Sequence, residues 1–153
     1  MSRATIYTDL FSMLSDMTTD NGYSRTYTPV KSVDNSSATM KETPFISLHL
    51  GQEEAVTDGV GMKEFRALLP VIVTARVRTT HGFRNEIEYE EDIERSKVIE
   101  DIKKRFAYAH KEVSDNCVQV PDESWVELEA REDSNKKDMY VKYGFGIIYK
   151  QPK

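Results

Sequence analysis

The alternation of apolar and polar positions predicts a long strand in the middle of the chain. From Phe65 to Val77 every second residue is apolar, while the positions between them carry a mixed set of side chains. A period of two is typical of a strand with one buried face. We expect about 13 residues or more, longer than most strands. Pro70 lies inside this run, and because proline cannot donate to a strand ladder, it predicts a bulge, a bend or an edge position.

Shorter runs predict the other strands of the sheet. Residues 139–150 alternate strongly, with Met, Val, Tyr, Phe, Ile and Tyr on one face and Gly144 and Gly146 on the other, where another backbone can approach closely. Composition and alternation favour three further strands, at residues 23–30, 45–50 and 125–131.

Two segments have helical periodicity. The first helix is indicated near the N-terminus by Ile6, Leu10, Met13, Leu14 and Met17, and it should end at the turn-forming residues 18–22. The second helix is expected from Glu86 to Lys111. Its apolar stripe comprises Tyr89, Ile93, Ile99, Ile102, Phe106 and Ala109. Acidic residues begin this helix and basic residues end it, which complements the helix dipole.

The order of these elements predicts an α+β domain. The chain would run helix, three strands, helix, two strands, with polar loops at residues 31–43 and 51–62 and a turn at residues 133–138. Such an order favours a largely antiparallel or mixed sheet packed against two helices. A length of 153 residues favours one domain over residues 1–153.

Composition and charge exclude several classes of protein. The net charge is −5 and the sequence pI is about 5.3, which argues against a dedicated nucleic-acid binder. The longest apolar run, residues 67–73, is far too short to span a membrane, and the N-terminus lacks a signal-peptide pattern. Cys117 is the only cysteine, so no disulfide forms within the chain, and we expect a small buried side chain there.

No pattern of chemical residues points to catalysis. His49, His81 and His110 are scattered, whereas a zinc site needs three or four converging ligands. The carboxylates between Glu88 and Glu94 surround a helix start, and Gly59-Val60-Gly61 lacks the spacing of a phosphate loop. We therefore predict no catalytic, metal or cofactor site, and a role in binding and assembly rather than an enzyme.

The last predicted strand holds one candidate contact residue. Tyr143, Phe145 and Tyr149 are expected in the core, while Tyr140 faces the other way. Tyrosine is enriched at protein interfaces, so Tyr140 is either a packing residue or an interface contact.

Taken together, the chain resembles the tail-terminator and tail-completion proteins of long-tailed bacteriophages. The resemblance rests on Pro44 leading a strand that ends in Gly51-Gln52-Glu53-Glu54, on Leu69-Pro70-Val71-Ile72-Val73, and on the acidic-start helix from Glu90 to Phe106. It spans roughly residues 1–150. The loop at residues 31–43 and the hairpin at residues 133–138 depart from the family pattern.

The resemblance implies a structural virion protein. Such proteins form a homo-oligomeric ring, a hexamer, at the head-proximal end of the tail tube, where they end tube polymerisation and join the tail to the head connector. They are assembled in the host cytoplasm. Partners would be other copies of the chain, the tail tube protein and a head–tail completion protein, and DNA would pass through the lumen without specific binding. An acidic chain suits such a lumen.

In this interpretation the loop at residues 51–62 projects towards a neighbouring ring. Its candidate contact residues are Glu53, Glu54, Asp58, Gly59 and Gly61, and deletion of residues 58–61 should block tail joining without unfolding the domain. Two alternatives stay open. One is another neck or head-completion protein of a phage, and the other is a small cytosolic adaptor or binding domain.

Overall fold

The helices occupy the N-terminal and central parts of the chain. The computed structural model describes residues 2–33, 44–56, 66–78, 84–113, 117–120 and 138–150. Helix α1 covers Arg3–Met13, α2 covers Arg84–Phe106 and α3 covers Ala109–Val113, and short 3₁₀ turns lie at Leu14–Asp16 and Thr19–Asn21. Helix α1 begins because the Ser2 side chain accepts a hydrogen bond from the Thr5 amide.

Six strands within the described ranges form one mixed sheet. They are β1 Thr28–Pro29, β2 Phe45–Leu50, β3 Glu54–Val56, β4 Arg66–Arg78, β5 Val118–Val120 and β6 Asp138–Lys150. The order across the sheet is β1-β2-β4-β6-β5, with β3 also pairing with β4. Only β1 and β2 run parallel among these pairs. The predicted α+β fold with a largely antiparallel sheet is confirmed.

Strand β4 confirms the prediction made from its alternating pattern. It is 13 residues long and pairs with β6 along its whole length. On its other side, Leu50 pairs with Val71 and Glu54 pairs with Leu68, so the β2–β3 segment contains one extra residue there. This is a bulge, and Pro70 lies opposite it.

The position of Pro70 explains why a proline is tolerated inside this strand. The Gly51 amide donates to the Pro70 carbonyl at 2.8 Å, so the Pro70 carbonyl faces the bulge. In an extended strand the N–H and C=O of one residue point to the same side, so the missing Pro70 N–H also falls at the bulge. A side chain at Gly51 would collide there, since a Cβ would lie 2.9 Å from the Pro70 Cβ.

The core lies between the helices and one face of the sheet. Alternate residues of β4 from Ala67 to Val77 are at most 1% exposed. Helix α1 buries Ile6, Leu10 and Met13 against this face, and the Phe106 ring of α2 packs 5.6 Å from the Phe145 ring of β6. Cys117 is buried, as predicted, and burial raises the pKa of its thiol.

The second face of the sheet is also closed at one end. Phe45, Ser47, Thr74 and Arg76 are buried there, although they belong to the polar side of their strands. The Arg76 guanidinium donates to the Val33 carbonyl at 3.2 Å, and Val33 is itself buried. Residues 31–33 therefore belong to the covering of this face.

Two predictions about strands and loops are wrong, and one strand was not predicted. The predicted strand at residues 23–30 is reduced to Thr28–Pro29, because Ser24 and Tyr27 turn towards α2 and bond to Asp101. The predicted loop at residues 51–62 contains β3, which pairing with β4 creates. Strand β5 was not predicted, and the predicted strand at residues 125–131 lies outside the described residues.

The predicted helix from Glu86 to Lys111 is interrupted between α2 and α3. The side-chain nitrogen of Gln119 donates to the Phe106 carbonyl at 2.6 Å. The side-chain oxygen of Gln119 accepts from the backbone N–H of His110 at 3.3 Å. One side chain thus replaces the backbone bonds at the break. The predicted apolar stripe is confirmed at Ile102, Phe106 and Ala109, which are buried, but Ile93 is 37% exposed and Val98 is buried in its place.

Candidate assembly interface

The candidate loop residues occupy the region around β3. Glu53 lies in the bulge and Glu54 begins β3, whereas Asp58, Gly59 and Gly61 lie outside the described residues. Glu54 and Ala55 are exposed. The Glu53 carboxylate accepts a hydrogen bond from the Tyr149 hydroxyl of β6, so Glu53 holds the bulge onto the sheet. Glu54 is therefore the better candidate for contact with a partner.

Tyr140 lies on the second face of the sheet, away from the core. It is half-buried, and the Arg76 guanidinium carbon lies 5.4 Å from the centre of its ring. This cation–π contact uses part of the ring surface. Part of the Tyr140 side chain remains exposed to solvent.

These candidate residues do not form one site. Glu54 pairs with Leu68 of β4, whereas Tyr140 pairs with Arg76 of the same strand. The two positions on β4 are separated by eight residues, which corresponds to about 26 Å at the usual rise of a strand. The structure therefore contains two separate surfaces, one around Glu54 and one around Tyr140.

A third surface, which the sequence did not indicate, is a cleft between α1 and β2. It has a volume of about 600 Å³ and is open to solvent. Its lining is formed by Arg3, Ala4, Tyr7, Thr8, His49 and Leu50. We refer to it as the β2 cleft. A volume of this size can accommodate several residues of a peptide.

Arg3 lies at the end of the β2 cleft where β2 ends. Its guanidinium donates to the Gly51 carbonyl at 2.9 Å and to the Leu50 carbonyl at 3.4 Å. Arg3 is the first residue of α1, where the helix dipole disfavours a positive charge. This unfavourable placement is the sequence signal that could have drawn attention to Arg3.

Two polar clusters outside the cleft hold α2 against the preceding chain. Buried Asp101 accepts hydrogen bonds from the Ser24 amide, the Ser24 hydroxyl and the Tyr27 hydroxyl. Burial, together with the bond to Asp101, raises the pKa of the Tyr27 phenol. Arg25 forms an ion pair with Glu94, which also belongs to α2. These contacts have a packing role.

Arg105 forms the second cluster. It donates to the Met13 carbonyl at 2.9 Å and forms ion pairs with Asp16 and Glu112. One side chain therefore joins the end of α1 to α2 and α3. The ion-pair groups of the two clusters are partly or largely exposed and are explained by helix packing.

The histidines and carboxylates do not converge. Within the part of the chain that the structure describes, no three His, Cys, Asp or Glu side chains are grouped to hold a metal ion. His110 Nδ1 lies 3.2 Å from the Gln119 side-chain oxygen, and His49 Nε2 lies 3.4 Å from the Ser47 hydroxyl. His81 and the side chains of residues 88–92 lie outside the described residues. Among the described helices, none has the length and apolar character needed to cross a membrane.

Comparison with known proteins adds no family. No protein-family model matches the chain, and no curated protein is significantly similar to it.

Proposed function

We propose that this chain is a structural virion subunit of a long-tailed phage, which forms a ring at the head-proximal end of the tail tube and joins the tail to the head connector. The proposal combines the resemblance of the strand–loop–strand–helix pattern with one observation from the fold. Strands β4 and β6 pair over 13 residues each and carry the Glu54 and Tyr140 surfaces at opposite ends.

This separation suits a subunit that lies between two different partners. A subunit in a ring between tube and connector contacts one protein on each axial side, so it needs two distinct surfaces on a rigid body. The β4–β6 pair is about 40 Å long at the usual strand rise. Such a pair separates the two contact surfaces without a hinge between them. Repetition of one subunit around an axis then presents each surface as a ring.

Electron microscopy of negatively stained protein tests this proposal. We expect the purified chain, mixed with tail tube subunits, to form rings with a central hole that cap the ends of tubes. A chain that stays monomeric and never associates with tubes would contradict the proposal and favour the adaptor alternative. Rings that bind connectors but not tubes would instead indicate another neck protein.

Substitutions then assign the two surfaces. We expect Glu54→Lys to abolish association with one of the two partners and Tyr140→Ala to weaken association with the other, while both proteins keep their circular dichroism spectra. Glu100→Lys and Tyr108→Ala are matched controls, since both residues are exposed on other parts of the molecule. If the controls reduce association as much as the test variants, the two surfaces are not the contacts.

A further inference from the structure

Residues 18–26 form a surface loop whose two ends meet in the core. The Tyr27 amide donates to the Met17 carbonyl at 2.9 Å, and this bond closes the neck of the loop. Met17 and Tyr27 are at most 2% exposed, whereas none of the residues 18–26 is buried. A compact surface loop with neighbouring ends is an Ω-loop. The neck is therefore anchored in the core, while the loop adds no fully buried side chain to it.

Hydrogen bonds within the loop fix its shape. The Asn21 amide donates to the Thr18 carbonyl and the Gly22 amide donates to the Thr19 carbonyl, both at 3.1 Å. Across the loop, the Thr19 amide donates to the Thr26 hydroxyl at 3.1 Å. Gly22 has a φ of 88°, which turns the chain back towards the neck. Because these bonds join loop residues to one another, they persist when the loop moves as one body.

Polar contacts attach the loop to one side of α2. The Ser24 amide donates to one oxygen of the Asp101 carboxylate at 3.1 Å, and the Ser24 hydroxyl donates to the other oxygen. Arg25 forms an ion pair with Glu94. Glu94 and Asp101 are seven residues apart, which corresponds to about two turns of the helix. The two carboxylates therefore lie along the same side of α2.

Lys104 extends this row of contacts by about one turn. Its ammonium group donates to the Gly22 carbonyl at 3.1 Å and lies 4.7 Å from the centre of the Tyr23 ring. Tyr23 is half-buried and packs against the edge of the core. Polar contacts of exposed groups contribute little in water, because water replaces them when they separate. The attachment of the loop to α2 is therefore weak compared with the packing of the core.

Asp101 keeps a hydrogen-bond donor when the loop leaves the helix. The Tyr27 hydroxyl donates to its carboxylate at 2.8 Å, and Tyr27 belongs to the neck, which stays in the core. A buried carboxylate without any donor would make opening costly. Here Tyr27 remains bonded, and water replaces Ser24 at the side that becomes exposed. Opening of the loop therefore costs much less than unfolding of the domain.

We propose that residues 18–26 are a latch, which opens from α2 as one body while the sheet and the helices stay folded. Opening exposes the carboxylates of Glu94 and Asp101, which Arg25 and Ser24 occupy when the latch is closed. The inference does not depend on the proposed ring.

Hydrogen exchange of the full chain in low concentrations of urea tests the proposal. The Ser24 amide exchanges when its bond to Asp101 breaks, so it reports the latch, whereas the Val73 amide of β4 reports the sheet. We expect Ser24 to exchange at least about tenfold faster than Val73 and than Tyr27 at the neck. The Ser24 rate should be nearly independent of urea because opening exposes little surface, while the Val73 rate should rise steeply.

Substitutions on α2 then change the latch alone or leave it intact. Asp101→Asn keeps the shape of the side chain and removes its charge, so Ser24 exchange should accelerate about tenfold. Glu100→Gln makes the same change at an exposed neighbouring position and should leave the rate unchanged. Lys104→Gln removes an exposed contact without disturbing the core and should accelerate exchange about threefold. Lys103→Gln is its control, since Lys103 lies over a ring of β6.

Several results would overturn the proposal. It is wrong if the rates of Ser24 and Val73 depend equally on urea, because the loop would then open only with the whole fold. It is wrong if Tyr27 exchanges as fast as Ser24, since the neck would then open too. Exchange of Ser24 at the rate of an unstructured peptide would mean that the latch is never closed. Equal effects of the test and control variants would show that Asp101 and Lys104 do not hold it.

Discussion

The two edges of strand β4 pair in different ways, and this difference separates the regular part of the sheet from its irregular part. Towards β6 it pairs without interruption from Arg66 to Arg78. Towards β2 and β3 the pairing is broken by a bulge opposite Pro70, and the β2 cleft lies beside it. The continuous side provides a rigid support, and the interrupted side carries the irregular surfaces. A single residue without an N–H group thus sets where the sheet departs from regularity.

The largest expected effect comes from removing core volume on the continuous side. Phe145 is fully buried and packs against Phe106. Phe145→Ala should lower the free energy of unfolding by about 3–5 kcal/mol, measured by urea denaturation. Val118→Ala, at a position 53% exposed, is the control and should change it by less than about 0.5 kcal/mol. Equal effects would mean that the β4–β6 side does not dominate stability.

A smaller effect is expected at the bulge on the interrupted side. Gly51→Ala places a Cβ against the Pro70 ring, at 2.9 Å from its Cβ. The resulting shift should lower the free energy of unfolding by about 1–3 kcal/mol. Amide exchange near β2 should accelerate more than exchange in β6. An unchanged exchange rate at β2 would show that the bulge adapts without strain.

The smallest effect tests the attachment of the chain before β1 to α2. The pKa of Tyr27 is raised by burial and by its hydrogen bond to Asp101, whereas an unfolded tyrosine ionises near pH 10. The stabilisation is therefore complete below about pH 10 and is lost as the pH rises above it, because the unfolded state releases its proton first. Above pH 10, each further pH unit should lower the free energy of unfolding by about 1.4 kcal/mol.

The Tyr27→Phe variant separates the effect of Tyr27 from those of Tyr23 and Tyr143, whose pKa values are also raised by burial. The variant should lose less stability between pH 10 and 11 than the parent chain, as followed by urea denaturation at each pH. Parallel pH curves for the two proteins would contradict the role assigned to Tyr27.

Sequence patterns predicted the regular parts of the fold and missed the irregular ones. Strands β4 and β6 were predictable because alternate side chains pack in the core, from Ala67 to Val77 and from Val141 to Tyr149. Strand β3 was not predictable, because a segment of three residues that begins with Glu54 is too short to show alternation. It becomes a strand only by pairing with β4. The same holds for the helix break, which depends on Gln119, a residue distant from Phe106 in the sequence.

The candidate surfaces were predicted unevenly for a similar reason. The outward direction of Tyr140 followed from its place next to Val141, which is buried. The β2 cleft combines residues 3–8 with residues 49–50, so periodicity within either segment does not reveal it. Arg3 in a first helical turn was the available local sign, because its charge there needs partners from elsewhere in the fold.

The side chain of Gln119 has a consequence for local opening of the molecule. Strand β5 has three residues, and its ladder alone is too short to hold it firmly. Gln119 connects this strand to the last carbonyl of α2 and to the first turn of α3. Release of β5 from the sheet therefore also releases the start of α3, so the two elements open as one cooperative unit.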